Sequence, residues 1–410
     1  MIAKLSDSFA EIEYRPIPVK DILREMKDLS ALMLDLAYYS IIYNNRDLAK
    51  EVFNLERRVD YLELLLILQS SLAVRGVSGA ERMISIYRLA SSSNKISDAA
   101  ADIARVVFSG TRLVPPSVNI YDKDEVVTHI VLPDKHEFCG KTLEYIFDKL
   151  GVVFEVLAVR RSGKWLFNPQ EDFKLSCGDV LIVRGLIENV KVFMESLGKR
   201  LPKISNSEVE ESKINLCEEL LQFRNITQFM VDLAYTALIT RSEDIAEKTL
   251  ELEDYVDRML EKFEYDVISN PDLSVNEKIC AIHIAVASEQ IADAAAELAE
   301  LIVRGVEPHP LITDIFWETD ERISVIEMDE SDEGKTIDEL GYEKKGIKVL
   351  AVRRNDEWHI MPPYSAFKVK KGDVLIVKYP AESEEYVESL ESEEDREEIV
   401  EEIQEEEWED

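Results

Sequence analysis

Apolar residues recur at i, i+3, i+4 spacing through residues 19–44, 46–75 and 79–109, with no proline inside, and again through 212–240, 243–269 and 275–304. That period lines one face of a helix, so the pattern predicts six amphipathic helices in two groups of three. Asn44-Asn45, the stretch from Gly76 to Gly79, and Asn270-Pro271 mark the turns. After each group the period changes. Residues 126–132, 152–161 and 180–185 read as strands rich in valine and isoleucine, and 323–328, 347–354 and 374–378 repeat them. A short helix over 141–150 opens on Gly140-Lys141-Thr142, between the first two strands.

The two groups are copies. Asp35-Leu-Ala-Tyr38 recurs as Asp232-Leu-Ala-Tyr235, Leu55-Glu56 with Val59-Asp60 as Leu252-Glu253 with Val256-Asp257, and Gly178-Asp179 as Gly372-Asp373, in preserved order. This is tandem duplication. The expected organisation is a leader over 1–17, a helical half over 18–112, a mixed domain over 113–200, a linker over 201–212, a second helical half over 213–307, a second mixed domain over 308–390, and an acidic disordered tail over 391–410. The fold class is α+β multidomain. The two helical halves are expected to pack as one bundle, and the two mixed domains to pair within the chain, doing what a homodimer of one unit does.

Charge sharpens this picture. The formal charge is −35; the tail contributes −12 of it, leaving −23 on the remaining 390 residues. Such a chain lacks the basic stripe that a phosphate backbone needs, so no nucleic acid is expected as a partner. No run approaches the roughly 20 apolar residues that span a bilayer, so no transmembrane segment is expected. Cys139, Cys177, Cys217 and Cys280 show no CxxC spacing. A zinc site or a disulfide framework is therefore not expected, and a reducing, cytoplasmic compartment is the simpler reading.

Carboxylates stand in rows. Glu289, Asp293 and Glu297 fall four residues apart on one helical face, opposite Ile291, Ala295, Leu298 and Ile302. Glu253 and Asp257 lie on the preceding helix, its antiparallel neighbour. The first copy writes Asn94, Asp98 and Asp102 with Glu56 and Asp60, and places Arg105 within reach of Asp102. An amphipathic helix with a solvated acidic face explains such rows. Hard oxygen ligands converging from two helices also suit a divalent or iron-type metal cluster, and no lysine or arginine sits three or four residues from Asp293 to relieve the repulsion.

Arg160-Arg161 and Arg353-Arg354 each close a strand. In so acidic a chain they are candidate contacts for a nucleotide-type regulatory ligand, with salt bridges to nearby carboxylates as the alternative. The Gly140-Lys141-Thr142 and Gly334-Lys335-Thr336 starts lack the upstream glycine of a GxxxxGKS/T loop, so nucleotide hydrolysis is not expected; such a helix start can take an anion or be capped, and capping is the expected use. Trp165 and Trp358 read as packing residues, and His283, among isoleucines, as structural. No Glu-x-x-His or hydrolytic triad appears, and no enzyme is expected.

The mixed domains resemble the C-terminal subdomain of TrkA-type regulators (RCK-C, or TrkA-C), on Gly140-Lys-Thr-Leu143, Ala158-Val-Arg-Arg161, Pro169 and Gly178-Asp-Val-Leu-Ile-Val183, and on Gly334, Arg353-Arg354, Pro362 and Gly372-Asp373. The helical parts look like halves of a PhoU-type domain, on the acidic rows named above. The fold class is then two three-helix PhoU-like antiparallel bundle halves alternating with two small RCK-C domains. The resemblance implies metal-binding carboxylates at Glu56, Asp60, Asp98, Asp102, Glu253, Asp257, Glu289, Asp293 and Glu297, with Asn94 departing from an acid in the family pattern. It also implies paired RCK-C domains binding a small regulatory ligand. The reading that follows is a cytoplasmic regulator of potassium or other cation transport, associating peripherally with a membrane transporter or channel at the inner face. The alternative is a PhoU-like negative regulator of phosphate transport.

Overall fold

Helices here begin where a side chain can take up a free backbone N–H. Ser242 accepts from Ile245 N at 3.4 Å. Ser274 and Glu277 cap each other's backbone reciprocally, Ser274 N donating to Glu277 Oε2 at 2.8 Å. A computed structural model of the chain describes residues 17–42, 44–73, 76–113, 125–162, 164–167, 169–199, 211–317, 321–355, 357–359, 367–380 and 383–390. The expected leader, linker and acidic tail lie, but for edge residues, outside these.

The first repeat runs α1 (Val19–Ile42), α2 (Arg46–Ala73), α3 (Gly76–Arg105) continuing as a 3-10 turn (Val106–Ser109), β1 (Glu125–Val131), α4 (Leu143–Leu150), β2 (Glu155–Arg161), β3 (Lys164–Phe167), β4 (Val180–Leu186) and α5 (Ile187–Ser196). The second runs α6 (Glu211–Thr240), α7 (Glu243–Ser269), α8 (Val275–Val303), α9 (Pro310–Trp317), β5 (Glu321–Glu327), α10 (Ile337–Leu340), β6 (Lys348–Arg354), β7 (Glu357–His359), β8 (Val374–Pro380) and α11 (Glu384–Glu388). The chain folds into two units: the helical segments of both repeats form one, and the mixed segments of both form the other.

In the helical unit α1 packs on α2 and α3, α6 on α7 and α8, and α3 on α8, which joins the halves into one body. Ala99 to Ala101 and Ala294 to Ala296 are buried, and such small side chains let helices approach closely. Among the polar contacts that cross between the halves, Tyr38 and Ser288 share a buried 2.7 Å hydrogen bond, and Arg224 Nη2 reaches the buried Asp35 Oδ1 at 3.3 Å. By length and composition α8 is apolar enough to cross a membrane, a longer apolar stretch than the sequence reading allowed for. Most of that window is buried inside this unit, which accounts for its character.

In the mixed unit each repeat forms a four-stranded antiparallel sheet, ordered β1-β4-β2-β3 and β5-β8-β6-β7. A bulge interrupts β2 between Val156 and Ala158, and its copy interrupts β6 between Val349 and Ala351. Each mixed domain has its own apolar core, with Phe138, Phe154 and Phe193 buried in the first and Tyr342, Val352 and Leu375 in the second. Asn189, itself buried, ties the two domains by donating to Val153 O at 2.9 Å and to Lys344 O at 3.3 Å. The sequence reading missed β3, β7, α5, α9 and α11, all short.

Candidate functional site

The acidic rows lie where their helices place them. Ile291, Ala295, Leu298 and Ile302 are buried, so Glu289, Asp293 and Glu297 share the outer edge of α8 beside α7. Glu289 is half-buried. Loss of water pushes its carboxyl up to about 7, with repulsion from Asp293, Asp257 and Glu253 adding to the rise. Burial also raises Asp293 and Glu253, helped in each case by Asp257. A side-chain hydrogen bond joins Glu289 and Asp293, as expected for a carboxyl donating to a carboxylate.

The row is not left with negative neighbours only. Glu297 accepts from Arg88 Nη1 at 3.1 Å and from Lys95 Nζ at 2.5 Å, both on α3, and the Lys95 charge also lowers Asp293. The expectation of an unrelieved row is thereby corrected. Relief comes from the other repeat, which inspection of positions along α8 alone does not reveal.

The first copy keeps its cation on its own helix. Arg105 pairs with Asp102, as the spacing anticipated, stands 5.8 Å over the Phe53 ring, and lowers Glu56. Even so, burial and the neighbouring Asp98 and Asp60 push Glu56 up to about 6. Asp98 also rises to about 6, through desolvation, Asp60 and Asp102. Glu63, which the sequence reading passed over, joins this group: its carboxyl is raised by burial, Asp60 and Asp98. Its position seven residues after Glu56, two turns on, was the available signal. The structure thus assembles two acidic groups, Glu56, Asp60, Glu63, Asp98 and Asp102 on α2 and α3, and Glu253, Asp257, Glu289, Asp293 and Glu297 on α7 and α8. Among the described residues no three His, Cys, Asp or Glu side chains are arranged to hold a metal ion.

The strand-closing arginines divide into two kinds. Arg161 grips the buried Asp179 with two parallel bonds, Nε to Oδ1 at 2.9 Å and Nη2 to Oδ2 at 2.7 Å, and also donates to Lys174 O at 2.8 Å. Arg354 repeats this on Asp373 at 2.7 and 2.6 Å and on Lys368 O at 2.8 Å. Each guanidinium lies over an aromatic ring, Phe173 at 4.9 Å and Phe367 at 4.8 Å. Arg161 and Arg354 are therefore clamps on buried carboxylates, the salt-bridge alternative of the sequence reading. The ligand reading thereby loses Arg161 and Arg354, which are engaged within the domain.

The Gly-Lys-Thr starts serve the backbone. Thr142 Oγ1 accepts from Tyr145 N at 3.2 Å, and Thr336 with Glu339 forms a full capping box, Thr336 N donating to Glu339 Oε2 at 2.8 Å. Gly140 and Gly334 hold φ of 78° and 85°, which only glycine adopts freely, and donate to Leu175 O and Val369 O at 2.7 and 2.9 Å. Thr336→Ala is expected to cost about 1 kcal/mol, visible as faster hydrogen exchange over α10. Unchanged exchange would show that the box contributes nothing.

One expectation is overturned. Cys139 and Cys177 are joined by a disulfide, their Cα atoms 5.2 Å apart. They lie 38 residues apart in sequence, and the Gly140–Leu175 backbone pairing brings them together, so no short-range spacing could announce the bond. Cys217 and Cys280 are buried thiols. His283 is exposed on α8, against its reading as a structural residue among isoleucines. The side chains of Trp165 and Trp358 fall outside the described ones.

The PhoU domain family matches this chain twice, over residues 23–107 and 220–302, which covers α1–α3 and α6–α8. No curated protein matches. Among solved structures, the phosphate transport system regulatory protein PhoU from Streptococcus pneumoniae is 13% identical with a TM-score of 0.39, covering 70% of this chain and 93% of its own. PhoU from Pseudomonas aeruginosa is 14% identical with a TM-score of 0.38, covering 70% and 96%. The GsuK channel bound to NAD is 12% identical with a TM-score of 0.17, covering 65% of this chain and 52% of that one. The two stretches that match the PhoU domain family lie in one helical unit, and no match assigns the mixed domains to RCK-C.

Proposed function

We propose that this chain is a non-enzymatic regulator of phosphate transport or phosphate signalling, acting from the cytoplasmic face on a membrane transporter. The observation that carries this is the pair of PhoU domain matches on helices α1–α3 and α6–α8, which pack within one unit. Potassium or other cation control, the leading reading of the sequence, gives way to its phosphate alternative, because the family match falls on the helices and not on the mixed domains. Pairing of the two mixed domains through Asn189 keeps cation control as the second reading. Deleting the gene in its host and measuring uptake of both ions separates them. Altered phosphate accumulation with unchanged potassium is the expected result, and the reverse pattern would move the assignment to cations.

Glu253, Asp257, Glu289 and Asp293 supply the hard oxygen donors that a divalent or iron-type cation takes. In this proposal a cation replaces the proton held between Glu289 and Asp293, after the side chains rearrange. Glu297, engaged by Arg88 and Lys95, is left out, as is Asp102, engaged by Arg105. Metal analysis of the full chain, with melting measured against added manganese, tests it. Asp257→Ala with Asp293→Ala should abolish any metal content and the accompanying rise in Tm; equal metal in the wild type and the double variant removes the cation from the proposal.

A further inference from the structure

The disulfide occurs in only one of two near-identical settings. In the first mixed domain, Gly140 N donates to Leu175 O at 2.7 Å, Leu175 N to Lys141 O at 2.9 Å, and Thr142 bridges Lys174. In the second, Gly334 N donates to Val369 O at 2.9 Å, Val369 N to Lys335 O at 3.0 Å, and Thr336 bridges Lys368. These backbone pairings are the same in both. Where the first domain has Cys139 and Cys177, the second has Glu333 and Lys371, and Lys371 pairs with Glu330 at 3.5 Å. The second domain therefore shows that this arrangement forms without a covalent link. A bond that the fold does not require is free to open and close.

Access divides the two sulfurs. Cys177 is exposed, whereas Cys139 is half-buried and packed against the hydrophobic core. An attacking thiolate from solvent reaches the Cys177 side first. Cys217 and Cys280 stay buried and take no part.

We propose that Cys139 and Cys177 form a reversible redox site, opened by a small dithiol or a dithiol protein and closed by a disulfide of the same class. In opening, one thiolate of the reductant attacks Cys177 Sγ, forming a mixed disulfide and breaking the Cys139–Cys177 bond. Cys139 leaves as a thiolate and takes a proton. The second reductant thiol then attacks the mixed disulfide and expels the Cys177 thiolate, which is protonated in turn. The protein gains two electrons and two protons, and the reductant becomes a disulfide. Closing is the reverse.

The bond also anchors one end of the 170–177 segment. The stretch ending at Cys177 is also held by Glu144 N donating to Glu171 O at 3.2 Å, by Arg161 Nη2 donating to Lys174 O at 2.8 Å and by the Leu175 pairing with Gly140 and Lys141. Opening the bond removes the covalent anchor at the end of the 170–176 stretch and leaves it to these hydrogen bonds. The inference stands on the mixed domains alone and is independent of the phosphate reading.

The test uses the full chain, equilibrated in dithiothreitol buffers of graded potential, trapped with iodoacetamide under native conditions and mapped by peptide mass. The expected result is labelling at Cys139 and Cys177 together, Cys217 and Cys280 unlabelled, with the reduced-to-oxidised ratio changing about tenfold for each 30 mV. Circular dichroism should stay unchanged, and hydrogen exchange over 170–176 should rise on reduction. A bond that yields only when the chain unfolds would make it purely structural. Thiols that never pair under oxidised dithiothreitol would remove the site, and unchanged exchange over 170–176 would remove the anchoring role. Cys139→Ser with Cys177→Ser should keep the native circular dichroism spectrum, as the second domain does without cysteines; loss of that spectrum overturns the proposal.

Discussion

Arg354→Met is expected to destabilise the second sheet by about 3 kcal/mol, the low end for breaking a buried ion pair. The reason is what stays behind. Asp373 is buried, and without the guanidinium it keeps one backbone donor, Lys370 N at 2.8 Å. Methionine replaces the stem's packing over Phe367 but offers nothing to the carboxylate. Lysine at this position should restore little, because a point charge cannot make both parallel bonds together with the third to Lys368 O. Arg161→Met should follow in the first sheet with a smaller loss, since the Arg161 side chain is 42% exposed against 22% for Arg354. Hydrogen exchange over β6 and β8 in graded urea measures the effect.

The same variant should change the response to acid. Burial raises the Asp373 carboxyl, but the bonds from Arg354 and Lys370 N outweigh it and hold it below the usual value. A depressed carboxylate stabilises the fold above its unfolded pKa of 3.8, and that stability is lost as pH falls through the lower folded value. With Arg354 removed, burial dominates and the loss begins at higher pH. Equal acid sensitivity in wild type and variant would contradict this account of the clamp.

The helical unit should behave in the opposite way, gaining about 3 kcal/mol as pH is lowered from 8 to about 5, after discounting for solvent screening. Glu289 sits at about 7 against an unfolded 4.5, Glu56 at about 6 against 4.5, and Asp98 at about 6 against 3.8. Between those limits the folded chain binds more protons than the unfolded chain. Stability therefore falls as pH rises through the window and levels off above about 7. Asp98 is exposed, so water screens its carboxylate most and its share of the gain is the smallest for the size of its rise. Because the carboxylates of each group interact, the transition belongs to the group and not to one residue. Glu289→Gln should raise Tm at pH 8 and flatten the profile. Thermal melts across pH 5–8, with and without this substitution, decide the matter, and a wild-type profile that rises with pH would refute it.

Much of this architecture was legible because it rests on local signals. The helix read over 243–269 is α7 to the residue, since Ser242 caps one end and Asn270-Pro271 stops the other. The sheets were legible in part: β3 and β7 span four and three residues, too few to show alternation. What stayed hidden was made by contacts between distant segments. Glu297 looked like a ligand until α3 brought Arg88 and Lys95 to it. Cys139 and Cys177 looked unrelated until the Gly140–Leu175 pairing set them side by side. The acidic rows were visible as rows; their elevated proton affinities were not, because those depend on the packing of α2 on α3 and α7 on α8.

The Lys95–Glu297 bridge has a consequence for inheritance. The repeat positions matching Lys95, Arg88 and Glu297 hold Gln290, His283 and Asp102. Two identical subunits related by a twofold axis would have to write every such residue twice, and the bridge would appear on both sides or neither. A fused chain escapes that obligation. It can give one acidic row a lysine and an arginine from across the seam, leave the other to its own Arg105, and tune the two to different proton affinities in a single molecule.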